Sequence, residues 1–176
     1  MTPILLKTAA AIAAAAGLAY TAADDFTAGS PYEGAELSSL DARAIEGHAA
    51  VLFARADRNE DRVIDVHEFA ALSIVSAELA RLNGFVVIET HSGPQTLRLV
   101  ANEPASLGFA EHARINAVSR ATFYAFAGED VALSADEFLA YQKSQFAAAD
   151  FDQDGALEKG ELSAYAKRQA LVATAV

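Results

Sequence analysis

Cysteine is absent from the 176 residues, which excludes a disulfide framework, a thiol nucleophile and a cysteine-based zinc site. Tryptophan is absent as well, and the one methionine is Met1. Basic residues are scarce: 13 Lys and Arg against 24 Asp and Glu give a formal charge of −11 and a pI near 4.7. Affinity for nucleic acid comes largely from neutralising phosphates with Lys and Arg, so no nucleic-acid partner is expected. His48, His67, His91 and His112 show no close metal-binding spacing. No G-x-S-x-G elbow and no glycine-rich phosphate loop of either common type occurs. These absences favour a protein that binds rather than an enzyme.

What is there is acid in a fixed frame. Residues 150–161 read DFDQDGALEKGE, the twelve-residue pattern D-x-D-x-D-G-x5-E without a mismatch. Side-chain oxygens at positions 1, 3 and 5, a carbonyl at 7, a ligand or water at 9 and a bidentate carboxylate at 12 suit a hard cation that takes about 6 to 8 oxygens. Gly155 at position 6 supplies the positive φ that the turn needs. Residues 57–68, DRNEDRVIDVHE, repeat the frame with Arg62 in place of the glycine. A left-handed arginine costs roughly 1–2 kcal/mol, so this loop is expected to bind more weakly.

The flanks repeat too. Phe53 and Phe146 each stand four residues before their loop, and Phe69 with Leu72 follow Glu68 as Leu162 with Tyr165 follow Glu161. Spacings of three and four place them on one face of an entering and an exiting helix. A third, damaged copy has Phe123 before it, Leu133 at the apolar position 8 and Glu137-Phe138 at the exit, and its loop, 127–137, is one residue short. Glu129, Asp130, Ser134 and Glu137 are too few oxygens for a full site, and the expected role is a structural partner loop.

Loops and flanks together resemble the EF-hand calcium-binding family, in a compact arrangement similar to its bacterial type. The resemblance covers about 40–82 and 111–171. It implies a mainly α fold of helix–loop–helix units, two intact and one degenerate. It also implies Ca2+ as the cofactor, held at one site by Asp57, Asn59, Asp61, the Val63 carbonyl, Asp65 and Glu68. The tighter site would use Asp150, Asp152, Asp154, the Ala156 carbonyl, Glu158 and Glu161. Mg2+ is the expected competitor, handicapped by its demand for tight octahedral geometry. Position 8 residues, here Ile64 and Leu157, form a short bridge between paired loops in the family. Sensor members open a methionine-rich groove, which a chain with only Met1 does not offer.

Outside the loops, residues 1–23 begin with one lysine and continue as an alanine-rich, uncharged run ending in Thr21-Ala22-Ala23. This looks like a signal peptide and favours export to a periplasm or the exterior. The alternative is an uncleaved N-terminal membrane anchor, which the shortness of the run disfavours. Residues 24–37 read as a flexible lead and 38–176 as a single domain. Ser38 or Ser39 is expected to cap a helix running to about Ala56, and the helix after the first loop should end at Asn83-Gly84. Residues 85–90 and 96–100 are β-prone and separated by a turn signal, an inserted hairpin at about 85–100. Ile64 is left with two candidate bridging partners, the hairpin or another loop. The expected function is calcium binding by an exported protein, as a calcium-stabilised module or buffer. The alternative is a membrane-tethered envelope protein in which metal is only structural and the hairpin binds an unidentified protein partner.

Overall fold

Among the residues described by the structure, a computed structural model covering 36–99 and 105–170, there are five helices and two small antiparallel strand pairs. In chain order they are β1 (Ser39–Asp41), α1 (Ala44–Ala56), α2 (Val66–Asn83), β2 (Phe85–Thr90), β3 (Gly93–Arg98), α3 (Phe109–Phe126), α4 (Ala135–Ala147), β4 (Ala156–Glu158) and α5 (Lys159–Gln169). The fold is mainly helical with a hairpin. No helix of the described residues is long and apolar enough to cross a membrane. The N-terminal segment 1–23 and most of the lead lie outside the described residues.

Helix boundaries follow the side chains that satisfy end groups left without intrahelical partners. Asp65 opens α2 by accepting the backbone N–H of His67 and Glu68, while Glu68 accepts the N–H of Asp65. Ser134 and Glu137 repeat this reciprocal capping at α4. Gly84, at φ 72°, closes α2 with its N–H on the Ala80 carbonyl, where the Asn-Gly pair places the stop.

The chain closes as a nest. The outer pair is β1 with β4, Leu40 opposite Leu157. The inner pair is a two-bond bridge in which Ile64 and Leu133 exchange N–H and carbonyl at 2.9 Å each way. Helices obey the same order, α1 packing on α4 and α2 on α3. Leu40, Ile64, Leu133 and Leu157 are all essentially fully buried, and full burial of such a side chain is worth about 1.5–3 kcal/mol.

Two apolar clusters lie beneath these pairs. One gathers Ala49, Ile64, Phe69, Phe123, Leu133 and Phe138, with Phe53 and Tyr141 packed against it. Its rings meet edge to face, Phe53 on Phe138 at 6.0 Å and Phe69 on Tyr141 at 5.4 Å between centroids. The other joins Leu40, Ile45, Phe146, Leu157, Leu162 and Tyr165 to Val86, Ile88 and Leu97 of the hairpin. The aromatics expected to flank the loops therefore line the core.

Two local expectations need correction, and one open alternative is decided. Residues 39–41 form a strand, and the helix starts at Ala44. Pairing of Leu40 with Leu157 claims this stretch, and the Asp41 carboxylate, not a serine, accepts the N–H of Arg43 at 2.9 Å before the first turn. Ile64 bridges to the damaged loop and not to the hairpin. The second hairpin strand begins at Gly93, because Gly93 at φ 106° permits a two-residue turn at His91-Ser92, tied by the Thr90 hydroxyl donating to the Gly93 carbonyl at 2.7 Å. Its expected end at Val100 lies outside the described residues.

Both long edges of the hairpin are engaged within the molecule. On the β2 side the N–H of Glu89 donates to Nδ1 of His48 on α1 at 3.2 Å. That N–H points away from β3, so Pro94, the residue opposite, is spared a ladder bond it could not make. On the β3 side the Thr96 carbonyl accepts the N–H of Leu37 at 3.0 Å. The last two residues of the expected flexible lead, Glu36 and Leu37, are thus paired with the hairpin.

Candidate metal centre

Helix α4 delivers the first acidic side chain of the 150–161 loop. Its C-terminal turn runs on through Asp150, whose N–H reaches the Phe146 carbonyl at 3.0 Å. From there the backbone turns left-handed at positions 4 and 6, Gln153 (φ 62°) and Gly155 (φ 84°), and again at position 10, Lys159 (φ 44°). The 57–68 loop also turns at positions 4 and 6, Glu60 (φ 60°) and Arg62 (φ 72°). The two loops follow one backbone path through positions 4 to 6, and Arg62 carries the strain expected of it.

Hydrogen bonding within the loops matches position for position. The N–H at position 6 reaches a carboxylate oxygen at position 1 in both, Gly155 to Asp150 at 3.2 Å and Arg62 to Asp57 at 3.0 Å. The N–H at position 7 reaches position 5, Ala156 to Asp154 at 2.8 Å and Val63 to Asp61 at 3.0 Å. Both position 12 carboxylates take one N–H from position 2 and one from position 9: Glu161 from Phe151 and Glu158, Glu68 from Arg58 and Asp65. The Phe151 and Glu158 amides hold the Glu161 carboxyl below its ordinary pKa. Position 12 is thereby fixed as an anion facing back across the loop.

The loops differ in how free their oxygens are. In 150–161, one carboxylate oxygen each from Asp150, Asp152 and Asp154 lies within 4.8 Å of the other two. Oδ1 of Asp150 is buried and has no hydrogen-bond partner. A buried carboxylate oxygen without a partner is costly, and a cation among the three carboxylates supplies what it lacks. The donor set is all hard oxygen, so the residues present fit a hard divalent ion. In 57–68, Asp57 accepts N–H bonds on both oxygens, from Asp61 at 3.1 Å and Arg62 at 3.0 Å. Asn59 accepts the Asp61 N–H on Oδ1 at 3.0 Å, and Asp65 spends Oδ1 capping α2. Binding there requires exchange of bonds already made.

The damaged loop keeps only its second half. Asp130 accepts the Ala132 N–H at 3.4 Å, and Glu137 accepts both the N–H and the hydroxyl of Ser134, at 2.8 and 2.7 Å. Its opening residues, Ala127 and Gly128, carry no carboxylate.

Residues 39–42 were missed as part of the centre. Ser39, Leu40 and Asp41 pair with Glu158, Leu157 and Ala156, and the Ala42 N–H reaches the Gly155 carbonyl at 3.0 Å. The signal was present: Leu40-Asp41 just ahead of a helix repeats the frame of Ile64-Asp65, Leu133-Ser134 and Leu157-Glu158, and Asp41 caps residue 43 as Asp65 caps residue 67. No family model, curated protein or solved structure matches the chain. The geometry of the loops is what a functional reading rests on.

Proposed function

We propose that this protein binds calcium through two EF-hand-type loops, tightly at 150–161 and weakly at 57–68, as an exported calcium-stabilised module or buffer and not as an enzyme. The observation that carries the reading is the convergence of Asp150, Asp152 and Asp154 on one point, with Oδ1 of Asp150 buried and unpartnered. Asp150, Asp152, Asp154, the Ala156 carbonyl, Glu158 and Glu161 would hold the ion in the tight loop. Asp57, Asn59, Asp61, the Val63 carbonyl, Asp65 and Glu68 would do so in the weak one. A bound cation neutralises carboxylates that otherwise repel one another, and a ligand that binds only the native state adds RT ln(1 + [L]/Kd) to its stability. For an exported chain without cysteine, that contribution stands where disulfides would.

Arg62 and the prior engagement of Asp57, Asn59 and Asp65 support the inequality of the two loops. The alternative, a tethered protein whose hairpin edge receives a partner strand, draws less support, because the Glu89 N–H and the Thr96 carbonyl are used inside the molecule. Titration calorimetry on chelator-treated protein, repeated in excess Mg2+, tests the proposal. Two sites of unequal affinity that survive Mg2+ are expected, and an absence of both heat and calcium-dependent gain in Tm overturns it.

A further inference from the structure

Residues 36–42 bond to two places, the hairpin and the 150–161 loop. Their first part pairs with the hairpin, through the Leu37 N–H on the Thr96 carbonyl at 3.0 Å and the Glu36 carboxylate 3.4 Å from Nε of Arg98. Their second part pairs with the metal loop, Ser39–Asp41 against β4 and the Ala42 N–H on the Gly155 carbonyl. Leu40 lies between, pinned in the core at 1% exposure.

The loop backbone that carries this pairing is the backbone that presents the ligands. Gly155 gives its N–H to Asp150 and its carbonyl to Ala42. Ala156, whose N–H is held by Asp154, stands opposite Asp41, and Glu158 stands opposite Ser39. Positions 6 to 9 therefore cannot shift to meet or lose an ion without moving the partners of residues 39–42. The 57–68 loop lacks this attachment, its bridge being the single exchange with Leu133.

We infer that residues 36–42 are a calcium-responsive strap: filling of the 150–161 loop locks them onto the loop and the hairpin, and emptying it loosens them. The inference rests on the calcium-binding reading and names how that site is coupled to the rest of the chain. With the loop empty, three carboxylates within 4.8 Å of one another push positions 1, 3 and 5 apart. The strain passes through Gly155 and β4 to the strap, whose remaining hold is the burial of Leu40, the Thr96 bond and the Glu36–Arg98 ion pair. Coupling between two sites is reciprocal. Loosening the strap therefore weakens calcium binding at 150–161 by the factor by which calcium tightens the strap.

Amide hydrogen exchange on the full chain, followed residue by residue with and without Ca2+ and run alongside calorimetry, tests this. Calcium should slow exchange at Leu37 and Ala42 at least tenfold and leave Leu99, which is bonded to Gly84 at the hairpin base, much less changed. Glu161→Gln should abolish the slowing at Leu37 and Ala42 while preserving calcium effects at Ile64 and Leu133. Leu40→Val, which loosens the anchor without removing a backbone bond, should weaken the tight site several-fold and leave the weak site unaltered. Calorimetric binding with unchanged exchange at Leu37 and Ala42, or slowing that persists in Glu161→Gln, overturns the strap and leaves the calcium reading standing. Absence of any calcium binding overturns both.

Discussion

His48 makes the fold sensitive to acid from a pH above the range where ordinary carboxylates titrate. It sits on α1 at 2% exposure, and Nδ1 accepts the Glu89 N–H, so the ring must be neutral at that nitrogen. Burial lowers its pKa to about 4, and the nearby Arg55 guanidinium, itself paired with Glu89 at 2.7 Å, adds to the effect. In the unfolded chain the imidazole returns to its ordinary value of 6.5. Between these values the unfolded state binds the proton and the folded state does not. Stability from this group is therefore complete above pH 6.5 and is lost as pH falls through the interval, ceasing to fall below about 4. The slope approaches 1.4 kcal/mol per pH unit, and the total lost between pH 7 and 4.5 is about 2.5 kcal/mol. Protonation also removes the acceptor for Glu89, so the hairpin should loosen from α1 first. Urea unfolding followed by circular dichroism at pH 7, 6, 5.5 and 4.5, on the native chain and on His48→Asn, isolates the effect. The amide oxygen of asparagine keeps an acceptor without a titrating proton, and the shared carboxylates cancel in the difference. The difference in stability between native and His48→Asn should change by about 2.5 kcal/mol across the series. A constant difference refutes the reasoning.

Three further outcomes follow from the same geometry. Arg62→Gly removes a left-handed side chain and a positive charge beside Asp57; it should raise stability by about 1–2 kcal/mol in chelator and strengthen the weaker calcium site, both measurable by melting and calorimetry. Glu161→Gln should eliminate the tighter site in a calcium isotherm while Glu68→Gln eliminates only the weaker, and an isotherm unaltered by Glu161→Gln defeats the ligand assignment. Phe138→Ala, at the meeting point of Phe53, Phe69 and Tyr141, should cost about 3–5 kcal/mol in urea unfolding.

The helical character of the chain, the ends of α2 and the core aromatics were legible in the sequence because each has a local cause. Asp65 and Glu68 cap, Asn83-Gly84 stops, and Phe53, Phe69, Phe123, Phe138 and Phe146 recur at helical spacing. The paired acidic loops were legible because carboxylate spacing is itself the signal, and Arg62 betrayed its strain by standing where a positive φ is required. Pairing was not legible. Whether Ile64 meets the hairpin or another loop depends on contacts about seventy residues apart, which no local propensity reports. Ser39 illustrates the cost: its capping propensity pointed to a helix, and pairing of Leu40 with Leu157 outweighed it. Local preference is worth about 1 kcal/mol, less than the burial of one leucine.

Once the four frames at Leu40, Ile64, Leu133 and Leu157 are placed in chain order, their pairing, first with fourth and second with third, explains why the hairpin lies where it does. Nested pairing requires the chain to reverse once between α2 and α3, so that α3 can run back along α2. The ion pair of Arg81 with Glu111 at 2.7 Å and the 3.5 Å contact of His112 Nε2 with the Glu78 carboxylate join the end of α2 to the start of α3 beside that reversal. An insertion at the reversal leaves both loop pairs in register, whereas one within either half would displace a frame from its partner. The hairpin occupies this tolerant position and returns its apolar face, Val86, Ile88 and Leu97, to the cluster beneath the outer pair. Through His48 on one edge and Leu37 on the other, it then ties the middle of the chain to its beginning.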